Sequence, residues 1–300
     1  MINAQLIKQL RDLTQAGMLD CKKALEANDG NVEKAVVWLR EKGIAKAEKK
    51  AASRVAAEGL CSYAISGNKA VYFELNSETD FVAKNEKFVN LVNKIGEALV
   101  NSNATNTEEA LNVMVDGTSL ANVILQNAGV IGEKISLRRV GVLTKNDDEV
   151  FGAYKHNGGN ILSLVVLKGN DEVVAKDVAM HVAAQAPTYV SKKDIPADAL
   201  AKEEEIILQT ALNENKQAAK PKPENIIKEK IVPGRLEKEL KDICLLSQPF
   251  VKNPDQTVEQ YVAANKSSVV TFVRLRVGEG IEKETVDFAA EVAAQAGLNK

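Results

Sequence analysis

Apolar residues change their spacing several times along this chain, and each change predicts an element. Near the N-terminus Leu6, Ile7, Leu10 and Leu13 share one helical face, with Asn3 placed to cap it. Gln15-Ala16-Gly17 breaks that helix. A second is predicted from about Asp20 to Ala27, and Asn28-Asp29-Gly30 ends it. Asn31 then caps a third, in which Val32, Ala35, Val36 and Leu39 keep i, i+3, i+4, i+7 spacing. Three helices in residues 1–41 approach the lower size limit for an independent core, and such units often serve as docking modules. Lys42 to Arg54 is rich in Ala and Lys with no interleaved aromatic, the composition of a charged, semi-rigid helical spacer.

From about Gly59 the period falls to two. Val71, Phe73 and Leu75 alternate onto one face of a strand, and the polar run Asn76 to Asp80 turns the chain. A helix opens near Asn85, carrying Phe88, Val92, Ile95 and Leu99 on one stripe. Lys134 to Leu143 reads as a further strand with Ile135, Leu137 and Val140 inward. This order returns weakly from Tyr154 to Ala186, where Tyr154 answers Tyr63 and Gly158 answers Gly67. Val174-Ala175-Lys176 answers Val82-Ala83-Lys84, and Ser268 to Val277 supplies the closing strand. The predicted class is α+β: a three-helix N-terminal module, then two related subdomains, each a small antiparallel sheet covered by helices on one side.

An insertion interrupts the second copy. Ala199 to Leu212 and Glu224 to Ile231 read as polar helices joined through Pro221-Lys222-Pro223, which predicts a projecting antiparallel hairpin. Thr285 to Ala296 is a small-residue helix that either packs on its own domain or docks a partner. The expected division is 1–53 for the helical module and linker, and 54–145 for the first subdomain. Residues 146–186 and 248–278 make the second subdomain, 187–247 the inserted hairpin and 279–300 a C-terminal module.

The corner between Leu75 and Asn85 invites a functional reading. Phe81 stands beside Asp80 where a strand gives way to a helix, so its ring is either a core plug or is held out for a partner. Buried aromatics are the commoner case. The repeat argues the other way, because the second copy has Asp171-Glu172-Val173 in place of Thr79-Asp80-Phe81 and keeps nothing as large as Phe.

Composition narrows the function by exclusion. The 300 residues carry a net charge of −2, so there is no basic footprint for nucleic acid. The N-terminal residues lack a secretory pattern, and no stretch approaches the roughly 20 apolar residues of a membrane helix. Cys21, Cys61 and Cys244 are far apart and form no CxxC, so they read as reduced thiols in a cytoplasmic protein. No metal, phosphate-loop or nucleophile-elbow motif occurs, and neither a cofactor, a metal nor a catalytic residue is assigned. Of the two histidines, His181 lies among Val174, Val178 and Val182 and reads as a satisfied helix residue, while His156 precedes the turn Asn157-Gly158-Gly159. The pattern is that of a protein acting by binding.

Two segments resemble one family closely. The run Leu10-Arg11-Asp12-Leu13-Thr14-Gln15-Ala16-Gly17-Met18-Leu19-Asp20-Cys21-Lys22-Lys23-Ala24-Leu25 is similar to the N-terminal signature of the bacterial elongation factor Ts family. Glu74-Leu75-Asn76-Ser77-Glu78-Thr79-Asp80-Phe81-Val82-Ala83-Lys84 is similar to its second signature. The likeness continues through Ala179 to Ala184, Gln248 to Val251 and Asp287 to Ala294. It implies a guanine nucleotide exchange factor for elongation factor Tu, with a ubiquitin-associated-type N-terminal module. It further implies that Thr79, Asp80, Phe81 and Val82 displace the magnesium of that GTPase, Phe81 as an apolar wedge and Asp80 as a charge near its docking helix. Further contacts are implied at Met18, His156, Asn157, Val286 and Phe288, and the hairpin is a surface through which the chain could self-associate. Pro233 departs from the family pattern and is expected to end or kink the hairpin's return helix. Two competing readings are an adaptor for ubiquitin-like folds using only residues 1–41, and an α+β enzyme using Asp80 and His156.

Overall fold

A computed structural model describes residues 2–14, 16–218 and 220–282. Its contacts divide the chain into two units, residues 1–64, 71–142 and 276 onward in one, and 65–70 with 143–275 in the other.

The first unit begins with three helices, α1 (Ala4–Thr14), α2 (Met18–Ala27) and α3 (Val32–Ser53). Asn3 Oδ1 accepts from Leu6 N at 2.9 Å and Asn31 Oδ1 from Lys34 N at 2.9 Å, so both expected caps form. Leu10, Cys21, Ala24, Leu25 and Ala35 make a small core. The third helix and the expected helical spacer are one continuous element. It runs on to Ser53, and at Gly43 its backbone lies against Gly129, where an added Cβ would stand 2.9 Å from the Gly43 carbonyl oxygen. The first part of the Lys/Ala-rich stretch is therefore a packed interface, which its composition alone did not disclose.

The sheet of this unit runs β1 (Glu58–Ser66), β2 (Lys69–Ser77), then β5 (Ser136–Thr144), with β2 in the middle. A short helix α4 (Asp80–Ala83) follows β2, then α5 (Glu86–Val100) and α6 (Thr107–Leu111). A two-residue hairpin, β3 (Met114–Val115) with β4 (Thr118–Ser119), precedes α7 (Leu120–Ile131). Val71, Phe73 and Leu75 of β2 pack with Phe88, Val92, Ile95 and Leu99 of α5, joined by Leu120, Val123 and Ile124 of α7. The alternation and the helical stripe thus meet as the sequence predicts.

The second unit repeats the plan. Strands β6 (Glu149–His156) and β7 (Ile161–Lys168) pair antiparallel, and α8 (Glu172–Gln185) covers them. Long helix α9 (Ala197–Gln217) leads out, and α10 (Glu224–Ile226) and α11 (Val232–Ile243) lead back. A small hairpin, β8 (Pro249–Phe250) with β9 (Asn253–Thr257), then α12 (Val258–Ala264), precede β10 (Ser268–Arg276). The sheet order is β10-β7-β6, so β7 occupies the middle place that β2 holds in the first copy.

Near Pro233 the return helix is interrupted and then restarts. Ile227–Ile231 forms one π-helical turn in which Val232 N–H reaches the Ile227 carbonyl, and α11 starts afresh with Pro233 in its first turn. The wider turn shifts the hydrogen-bond register, so the N–H that proline lacks has no α-helical partner to miss. Ile207, Ala211, Ile227 and Val232 pack between the two arms.

His181 is buried and satisfied. Its Nδ1 accepts from Val251 N–H at 3.1 Å, so Nε2 carries the proton donated to Gln248 Oε1 at 2.9 Å. Burial holds its pKa below the ordinary value, against the hydrogen bond His181 donates to Gln248.

Close approach of β6 to α8 depends on Gly152, where an added Cβ would meet the Ala175 carbonyl oxygen at 2.1 Å. Gly152→Ala should cost about 1–3 kcal/mol or more, since backbone atoms must move apart. Urea melts of both proteins check this, and an unchanged midpoint would show that the helix shifts freely over the strand.

Candidate functional site: an exposed phenylalanine on a clamped corner

The corner after β2 is built from residues 77–85. Thr79 is the N-cap of α4, with Val82 N–H bonding to its Oγ1 at 3.3 Å. Ser77 Oγ donates to the Thr79 carbonyl at 3.0 Å. Lys84 and Asn85 break the helix, and Asn85 Oδ1 accepts from Lys87 N at 2.9 Å to start α5 as a separate element. In the second copy Asp171 caps α8 directly and no break follows. The first copy therefore sets a single helical turn apart from its long helix.

That turn has two faces. Ala83 is buried and Val82 packs beside it on the core of β2 and α5. Asp80 and Phe81 point outward, and Phe81 is 82% exposed. Val173, the residue answering Phe81, is also exposed at 69%, so both copies turn this position to solvent and differ in how much apolar surface they show. Asp80 Oδ2 accepts from Lys84 Nζ at 2.6 Å. That hydrogen bond holds the Asp80 carboxyl below the usual carboxylate range, so the corner presents an anion beside an aromatic ring.

Three acidic residues outside the turn hold it from behind. Glu133, immediately after Gly132 at the left-handed end of α7, grips Thr79 with both oxygens. Its Oε2 accepts from Thr79 N at 3.0 Å and its Oε1 from Thr79 Oγ1 at 2.7 Å. Glu78 accepts from Lys134 N at 2.6 Å and pairs with Arg54 at 2.9 Å. Glu74, fully buried in β2, accepts from Arg138 Nη1 at 3.0 Å, from Arg139 Nε, from Asn76 at 2.9 Å and from Gly278 N at 2.8 Å. Burial pushes its carboxyl up, but the Gly278 N–H, Asn76 and Arg139 outweigh it and hold the pKa below 4.5.

Sequence reading missed these supports. Glu74 was visible as a charge in a strand whose neighbours are Phe73 and Leu75, and Arg138-Arg139 as two cations in a facing strand. Nothing in spacing links Glu133 to Thr79, since they are far apart in the chain and meet only once the fold forms.

The other expected contact residues lie elsewhere. Met18 begins α2 and is 59% exposed, and its chain neighbour Leu19 and, in α1, Leu13 are exposed too. His156 and Asn157 are exposed at the tip between β6 and β7, where Asn157 takes a positive φ of 52° and Tyr154 Oη is 3.4 Å from His156 Nδ1. Val286, Phe288 and the helix expected over 285–296 lie outside the described residues. Among the described residues no cluster of His, Cys, Asp and Glu could hold a metal ion, and no helix is long and apolar enough to cross a membrane.

The family model for Elongation factor TS matches residues 78–279, a span that starts at this corner. Elongation factor Ts of Spiroplasma citri is 49% identical over 295 residues, covering 98% of each chain. That of Acholeplasma laidlawii (strain PG-8A) is 50% identical over the same share. The chain belongs to the elongation factor Ts family. Membership supports a nucleotide-exchange role in translation elongation and implies partnership with elongation factor Tu. The α+β architecture with N-terminal helices agrees with it.

The Glu74 charge gives a pH test. A folded pKa below the unfolded value means that its stabilisation is present above about pH 4.5 and is lost as pH falls through the folded value. Glu74→Gln should cost about 3–5 kcal/mol near neutral pH, because the guanidinium groups lose their counter-charge. It should also flatten the acid limb of stability against pH. Urea melts across pH 3–7 measure both, and parallel acid limbs would show that Glu74 is not the group titrating.

Proposed function

We propose that this chain binds elongation factor Tu in its GDP form and releases GDP by disturbing the magnesium and phosphate site, so that GTP can bind. Thr79, Asp80, Phe81 and Val82 are the acting element. The observation that carries the reading is Phe81, which holds its ring almost fully in water on a turn whose inner face is packed and whose cap is gripped. An isolated exposed aromatic is unremarkable by itself. One that is fixed in place, in a family of exchange factors, fits a wedge.

The energetics require such a device. A nanomolar nucleotide site holds its ligand by about 12 kcal/mol. A partner can loosen it only by binding better to a conformation in which that site is disturbed. An apolar ring inserted between elements of the GTPase gains on burial what it forgoes in the free protein. Asp80 adds a negative charge beside it. No bond is made or broken in that process, so binding alone suffices.

Met18, His156 and Asn157, with Val286 and Phe288, are assigned as further contacts that anchor the wedge. Under this reading residues 1–53 and 279–300 dock the GTPase, while 54–145 carries the corner. Asp80 and His156 each have a local partner, Lys84 and Tyr154, which suits binding surfaces better than the enzyme reading.

Phe81→Ala should change folding stability by less than about 0.5 kcal/mol, as expected for an exposed side chain. A core phenylalanine would cost about 3–5 kcal/mol. Release of labelled GDP from elongation factor Tu should slow about tenfold or more, the scale of an interface anchor. A large loss of stability with unchanged release per folded molecule would contradict the wedge.

A further inference from the structure

We infer that Glu133 is a positioning residue for exchange: its carboxylate, holding both donors of Thr79, sets the attitude in which Phe81 is presented. The inference rests on the reading of the corner as the acting element. Thr79 has two hydrogens to give, from its backbone N and its hydroxyl, and Glu133 takes both, at 3.0 and 2.7 Å. With its proton committed, the hydroxyl oxygen faces Val82 N–H as an acceptor and closes the turn. One carboxylate therefore fixes the rotamer of the cap, the direction of the turn and, two residues on, the exit vector of Phe81.

Glu133 is itself held by its chain position. Gly132, at φ 90°, ends α7 in the left-handed conformation, and its N–H closes on the Ala128 carbonyl. The same helix packs through Gly129 on Gly43 of α3. On the other side Lys134 N binds Glu78, and Lys134 Nζ binds the Arg54 carbonyl at 2.8 Å. Residues 132–134 thus tie the corner to the helix that seats the N-terminal module. Since α4 is a single turn with little stability of its own, the angle of Phe81 depends on core packing of Val82 and Ala83 together with the grip on Thr79.

The experiment compares full-length wild type, Glu133→Gln, Thr79→Val, Thr79→Ser, the double variant Thr79→Val with Glu133→Gln, and Phe81→Ala. GDP release from elongation factor Tu is followed against factor concentration, to separate the maximum rate from the half-saturating concentration. Glu133→Gln keeps size but replaces one acceptor with a donor, and the maximum should fall about tenfold, the scale of one charge-assisted hydrogen bond. Half-saturation should move by less than about threefold, because the anchoring contacts are intact. Thr79→Val should match it, the double variant should be no worse than either, and Thr79→Ser, which keeps the hydroxyl, should be faster than Thr79→Val. Amide hydrogen exchange at Thr79 in the free chain should quicken in Glu133→Gln.

If Glu133→Gln keeps the wild-type maximum while Phe81→Ala is slow, the inference falls and the reading of the corner stands. A raised half-saturation with unchanged maximum would also overturn it, by making Glu133 a docking contact. Wild-type release by Phe81→Ala would overturn the reading of the corner and this inference with it. Should Glu133→Gln fail to fold, the comparison of Thr79→Val with Thr79→Ser decides by the same measure.

Discussion

Strand β2 must bury both of its faces and still deliver the chain to an exposed corner. Its apolar face, Val71, Phe73 and Leu75, is covered by α5, which is ordinary sheet-on-helix packing. The opposite face carries Glu74 and Asn76, also without exposed surface. An isolated carboxylate there would cost several kcal/mol. Two guanidinium groups and the Gly278 amide make it tolerable, and in doing so they fix β5 and residues 276–279 against β2. Asn76 Oδ1 remains buried without a hydrogen-bond partner, a local cost carried by the same face. The direction in which β2 leaves the sheet follows from this double burial.

What leaves the sheet is a helical turn too short to be stable alone. It persists because Val82 and Ala83 join the core and Thr79 is capped and gripped. Exposing Phe81 gives up hydrophobic stabilisation in the free protein, of about 1.5–3 kcal/mol for a side chain of that kind. A fixed ring loses less conformational freedom on docking than a mobile one, so rigidity returns part of that cost as affinity. The second copy lacks the separate turn and shows only Val173 at the matching place. The two copies thus differ at this corner, where the first of them is assigned to act.

Local rules made much of this legible in the sequence. Asn3 and Asn31 were readable as caps, and β2 and the α5 stripe as partners, because each depends on neighbours within a few residues. The exposed attitude of Phe81 was suggested only through its divergence from Val173. The supports were hidden, since Glu133 with Thr79 and Arg138 with Glu74 meet across long separations that no periodicity encodes. Pro233 was legible in part, as a break in the return helix. Packing of Ile227 and Val232 against α9 carries the chain through that break by a π turn. In the Lys/Ala-rich run the helical character was legible and the packed contact was not, since Gly43 makes it through backbone atoms.

Under the proposed function this chain prefers the nucleotide-free GTPase, and that preference is what drives exchange. Coupling free energy is reciprocal, so a factor that weakens GDP binding must itself be weakened by GDP. Titration calorimetry of the full-length chain against empty elongation factor Tu, and against the GDP-loaded, magnesium-replete form, measures this directly. The account predicts tighter binding to the empty form by on the order of a hundredfold. Equal affinity for the two forms would mean that the chain binds the GTPase without driving exchange, and would contradict it.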